Sequence, residues 1–169
     1  MDDLMGSEFA VAVLAFRVIF GVVFALHGWG KIKGGLDGTA GWFDSIGMKP
    51  GALHARAAAG TEIGTGVLLV LGLLTPLAAA GVVGVMVVAG WTVHRKNGFM
   101  IVKDGWEYTF IVGVTAVFIA ALGPGSISVD SALGLADLWN GWVGLGIAAA
   151  LGVAAGVTQI AVFYRPSAD

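Results

Sequence analysis

Polar and apolar positions alternate along this chain on a coarse scale: long apolar runs are separated by short polar connections. The first run, Phe9–Trp29, has 21 residues and one charge, Arg17. At ~1.5 Å per residue it would extend ~31 Å, the thickness of a bilayer's hydrocarbon core. Four more runs follow: about Ala55–Leu74, which contains Glu62, then Leu77–Val93, about Trp106–Leu122, and Trp142–Tyr164. Thr75-Pro76 marks a tight turn, because proline suits the first turn of a new helix. Gly123-Pro124-Gly125 breaks the chain ahead of a polar stretch of 16 residues. The pattern predicts an all-α, polytopic membrane bundle of five helices, one domain over residues 1–169.

Composition agrees. Apolar residues make up 57% of the chain and charged residues 12%, against ~25% charged in soluble domains. The 28 glycines fall mostly inside apolar runs, where they permit close helix packing in lipid. There is no cysteine, which excludes disulfides, thiolate catalysis, cysteine-ligated iron–sulfur clusters and covalent haem attachment. Nothing in the charge pattern suggests nucleic-acid binding, and no metal-ligand spacing is present.

The basic residues choose a side. Lys31, Lys33, Lys49 and Arg56 lie between the first two runs. Arg95, Lys96 and Lys103 lie between the third and fourth, and Arg165 follows the fifth. All eight basic residues that flank the runs thus fall on one side of a five-span arrangement, and that side is expected to be cytoplasmic. The N-terminus, with Asp2, Asp3 and Glu8, would lie outside and the C-terminus inside a bacterial cytoplasmic membrane. The N-terminal segment lacks a basic leader and a small-residue cleavage site, so the first run reads as an uncleaved anchor.

Five segments in order carry a resemblance. They are R-V-I-F-G-V-V-F-A-L-H-G-W-G-K (Arg17–Lys31), G-W-F-D-S-I-G-M-K-P (Gly41–Pro50), G-T-E-I-G-T-G-V-L-L-V-L-G-L-L-T-P (Gly60–Pro76), G-W-E-Y-T-F (Gly105–Phe110) and G-P-G-S-I-S-V-D (Gly123–Asp130). Together they resemble the DoxX family of small bacterial membrane proteins. The resemblance covers residues 17–130 and implies a four-helix membrane core. It also implies an association with membrane redox complexes, quinone-linked thiosulfate oxidation, quinone or catechol resistance, or thiol homeostasis. The run at 142–164 departs from it as an additional fifth span.

Several polar residues are expected to converge on the basic half of the membrane: His27, Lys31, Glu62, His94 and Glu107, with Arg17 one to two turns further out. Because Cα–Cβ bonds tilt toward a helix's N-terminus, His27 leans into the membrane and Glu62 leans toward the basic side. A Glu62–His27 pair is therefore expected in preference to Glu62–Arg17. A histidine–carboxylate pair supplies the hydrogen-bond donor and the proton path that a quinone requires; menaquinone and ubiquinone are equally open, as is a small acid. Trp29, Trp91 and Trp106 are candidate walls. The plainer alternative is that these charges only neutralise one another so that the bundle can fold. A bis-histidine haem on His27 and His94 is disfavoured, because His94-Arg95-Lys96 reads as the start of a loop.

Two further features concern partners. Residues 35–50 hold Trp42, Phe43, Ile46 and Met48 at near-helical spacing, which predicts a short interfacial helix that either caps a pocket above Glu62 or simply anchors the surface. In the fifth span Gly144, Ala148, Gly152 and Gly156 recur every four residues. This small-residue stripe predicts tight packing against the bundle or, as the preferred expectation, against a protein partner or a second copy. Gln159 is the only strongly polar residue in that span, and no chemistry is expected from it. The function these readings favour is a subunit or accessory protein of a membrane redox complex. A non-catalytic assembly subunit and a small-molecule carrier remain the alternatives.

Overall fold

A computed structural model describes residues 2–166, with side chains from Gly6 onward. The side chains of Asp2 and Asp3, and residues 167–169, on which part of the expected orientation rests, lie outside that description. The described chain is all-α: α1 (Asp2–Lys33), α2 (Leu36–Ser45), α3 (Gly51–Leu71), α4 (Thr75–Ala89), α5 (Glu107–Leu122), the single-turn α6 (Val129–Ala132) and α7 (Gly141–Phe163). A π turn over Gly90–His94 continues α4. Three helices are long and apolar enough to cross a membrane: α1, α4 with its continuation, and α7. The apolar α5 is shorter. With α3 they form the five-helix bundle that the apolar runs predict.

α1 packs along α3, and α4 packs against both α5 and α7. Small residues set these distances. A Cβ at Gly21 would stand 2.6 Å from the Gly66 carbonyl oxygen, and one at Gly66 2.5 Å from that of Gly21, so α1 and α3 meet backbone to backbone. The stripe on α7 makes the same contact with α4. A Cβ at Gly152 would lie 2.5 Å from the Val83 Cβ and 2.7 Å from the Ala80 carbonyl. One at Gly156 would lie 2.7 Å from the Val87 Cβ. Gly144 abuts the Ala120 carbonyl, and Ala148 sits in the core cluster with Leu69, Val82 and Ile119. The stripe is thus used up inside the chain. The expectation that Gly144, Ala148, Gly152 and Gly156 face a partner is corrected: α4 presents the matching small-residue face, so the bundle itself satisfies them.

The two ends of the bundle differ. At the basic end the α2–α3 connection is tied to the end of α7: the Arg165 N–H donates to the Gly47 carbonyl at 2.7 Å, and the Lys49 N–H to that of Phe163 at 3.2 Å. Asp44, on α2, accepts from the Gly51 N–H at 2.8 Å and so caps α3.

At the opposite end a buried polar network closes the α3–α4 turn. Arg17 is 1% exposed. Its guanidinium donates to the carbonyls of Leu69 (2.6 Å), Val70 (2.9 Å) and Ile127 (2.8 Å). Leu69 and Val70 lie in the last turn of α3, so a cation sits at the negative end of that helix. Asp130, fully buried, does the converse for α4, accepting from the N–H of Leu74 at 2.8 Å and from the N–H and hydroxyl of Thr75 at 3.0 Å each. Arg17 is therefore a structural tie at this end, ~21 Å along α1 from Lys31, and its expected place among the ligand residues is corrected.

Candidate ligand site at the basic end

Glu62 is held by Lys31, not by His27. The Lys31 ammonium lies 2.7 Å from one carboxylate oxygen and 2.5 Å from the other, with the Glu62 side chain 6% exposed. The expected leaning of side chains holds, but rotation about α1 selects a different residue. Val13, Arg17, Gly21, Phe24 and Gly28 form the inward stripe of α1, every third or fourth position. Lys31 continues that stripe and reaches back one turn. The Gly28 Cα, lacking a side chain, lets Glu62 approach: a Cβ there would stand 3.0 Å from the Glu62 Cβ. His27 falls outside the stripe, points outward, and donates from Nδ1 to the Val23 carbonyl at 2.8 Å. The Glu62–His27 pair is thus corrected to Glu62–Lys31.

His94 and Glu107 stand at the same end but belong to the α4–α5 connection. His94 Nδ1 donates to the Asp104 carbonyl at 2.8 Å, with the Asp104 carboxylate at 3.5 Å. Glu107 accepts from the Ile101 N–H at 2.8 Å. Both fasten their own loop, and neither lines the cavity that holds Glu62.

That cavity measures about 150 Å³. Its floor is Lys31 and Glu62, its α4 wall includes Val88 and Thr92, and Trp42 and Phe43 of α2 close it. The short helix over residues 35–50 therefore does cap a pocket above Glu62, and Trp42 takes the wall position expected of Trp29. Trp29 faces outward, whereas Trp91 and Trp106 line a separate groove.

Two cavity residues escaped the reading of the sequence. His54, 1% exposed, stands between Phe163, edge-on at 5.0 Å between ring centroids, and Phe43 at 5.9 Å. Gln159 of α7 lies 3.0 Å from His54 Nδ1 through its amide nitrogen. An amide nitrogen can only donate, so Nδ1 accepts and the neutral ring carries its proton on Nε2. Nε2 is buried beside the Lys49 backbone. The available signal was the i, i+4, i+8 spacing of His54, Ala58 and Glu62, all three on the cavity face of α3. The site therefore offers an ammonium and a carboxylate, with the edge of the His54 ring in its wall, around a space otherwise walled by apolar and aromatic groups.

Comparison with known proteins agrees with this architecture. The chain is 30% identical to the "Putative oxidoreductase CatD" of Bacillus subtilis over 126 residues, which cover 75% of this chain and 90% of that protein. It is 27% identical to the inner membrane protein YqjF of Escherichia coli, across 73% of this chain and 92% of that one. It is also 28% identical to the "Uncharacterized membrane protein Rv3486" of Mycobacterium tuberculosis, across 77% and 86% respectively. No solved structure matches it. The sequence pattern of the DoxX family matches residues 12–95, which hold Arg17, Lys31, His54, Glu62 and the whole of α4, and the chain belongs to that family.

Proposed function

We propose that the chain is an integral membrane subunit of a quinone-linked redox system, and that the cavity floored by Lys31 and Glu62 binds the quinone head. The observation that carries this reading is a Lys31–Glu62 ion pair, its carboxylate buried, at one small cavity otherwise walled by apolar and aromatic groups. A cavity of about 150 Å³ is the size that takes a single benzene ring in an apolar protein core, so only part of a quinone head enters it. The ubiquinone and menaquinone heads have equal numbers of heavy atoms, and the volume does not choose between them. In this reading the Lys31 ammonium donates to one carbonyl of the head. Glu62 relays protons as a partner subunit delivers electrons, so that two electrons and two protons convert quinone to quinol. The relative's printed name, an oxidoreductase, points the same way. The cavity would open toward the cytoplasm, with the N-terminus outside and the C-terminus inside, on the strength of the eight basic residues at that end.

Trp42 makes the binding step measurable. A short-chain ubiquinone titrated into the purified protein should quench tryptophan fluorescence saturably, and Trp42→Phe should remove the saturable part. Glu62→Gln and His54→Phe should weaken it at least tenfold. Quenching that is unsaturable, or unchanged in both cavity variants, would overturn the assignment. A reporter fused after Asp169 should be active only in the cytoplasm.

A further inference from the structure

A second concavity lies on the other side of α4, between α4, α5 and α7. It is about 710 Å³, almost wholly apolar, and open along its length. Its lining runs from Val83 to Arg95 on α4 and its continuation, from Trp106 to Val117 at α5, and from Ala149 to Ala161 on α7. At ~1.5 Å per residue these stretches are ~16–18 Å long. That is about half of a ~30 Å hydrocarbon core, the depth of one leaflet. Gly90, Gly113, Ala149 and Ala161 keep it open, since none puts a large side chain into it.

The groove ends at a cation. Arg95 stacks its guanidinium over the Trp91 ring, 4.0 Å from the centroid, and has no ion-pair partner among the described residues. The nearby carboxylates are engaged: Asp104 with His94 and Glu107 with the Ile101 N–H. An apolar slot one leaflet deep that ends at an unpaired guanidinium matches a lipid with one negative headgroup.

We propose that this groove binds one acyl chain of an anionic phospholipid, with its phosphate on Arg95. Charge complementarity selects this occupant over the isoprenoid tail of a quinone, whose head is neutral and makes no use of Arg95. The site is independent of the cavity at Glu62.

Native mass spectrometry of the intact chain released from nanodiscs of mixed phosphatidylglycerol and phosphatidylcholine tests it. One phosphatidylglycerol should be retained per chain, preferred about fivefold over phosphatidylcholine, the factor that corresponds to ~1 kcal/mol per interfacial basic residue. Arg95→Gln should abolish the preference. Gly113→Leu should fill the groove and lose both lipids, with far-UV circular dichroism reporting that each variant is folded. Quenching of Trp91 and Trp106 by bromines on the acyl chains should follow the same order. Equal retention of the two lipids, a preference that survives Arg95→Gln, displacement of the lipid by inorganic phosphate alone, or a dimer that carries no lipid would each overturn the proposal.

Discussion

Asp130→Ala should be among the most destabilising single substitutions in this chain. The carboxylate is fully buried and accepts three hydrogen bonds, from the N–H groups of Leu74 and Thr75 and from the Thr75 hydroxyl. Two of those donors are first-turn amides at the positive end of α4, and no helical carbonyl is available to them. A hydrogen bond to a charged group contributes ~1.5–3 kcal/mol net. The simple sum of three overshoots, because the loop relaxes and water enters. The measured cost of breaking a buried charged interaction, ~3–5 kcal/mol, is the better guide. Leu74 adds to it: its φ of 50° is unfavourable for a residue with a Cβ, and the bond to Asp130 helps hold it there. Arg17 also loses the nearby negative charge that it feels in the native fold. Asp130→Asn keeps the shape and one acceptor but turns an NH₂ group toward a donor, which costs about 1–3 kcal/mol. The assay is reversible unfolding by dodecyl sulfate in mixed micelles, followed by circular dichroism, with exposed Asp137→Ala as the control, expected within ~0.5 kcal/mol of wild type. An Asp130→Ala protein as stable as that control, or an Asn variant less stable than the Ala variant, would refute the reasoning.

Other substitutions probe the remaining contacts. Gly152→Leu should lower stability by ~1–3 kcal/mol or more through overpacking against Val83 and Ala80, with no change in oligomeric state on a sizing column. Gly146→Ala on the same helix, which has open space around it, should raise stability by ~0.5–1 kcal/mol in the same unfolding assay. Lys31→Met, which strands a buried carboxylate, should destabilise more than Glu62→Gln, which leaves a partly exposed ammonium free to reach outward. The double variant should recover part of the loss, and a coupling energy near zero in that cycle would mean the pair does not hold the two helices. His27→Leu should leave both stability and quinone quenching unchanged, since that ring satisfies itself on its own helix.

The order of apolar runs and polar breaks was enough to specify an all-α membrane bundle, because a segment that buries every backbone group in lipid has few options besides a helix. It also placed Glu62 in the polar half, predicted the short helix with Trp42 and Phe43, and put the basic residues at one end. These are one-dimensional properties: length, hydropathy, and position along a helix axis. What the sequence left open was decided by rotation about those axes and by contacts distant in the chain. His27 and Lys31 sit one turn apart on α1, and only the docking of α1 on α3 through Gly21, Gly28 and Gly66 turns Lys31 inward and His27 outward. Gln159 meets His54 across 105 residues, so a lone amide in an apolar span became part of the cavity wall once α7 docked. Asp130, in a loop that reads as polar and unremarked, is buried because the α3–α4 turn leaves unpaired amides that only a folded-back loop can reach. The small-residue stripe of α7 was legible as a packing surface, but nothing along the chain says which surface it meets. The complementary face of α4, carrying Ala80, Val83 and Gly84, answers that only in three dimensions.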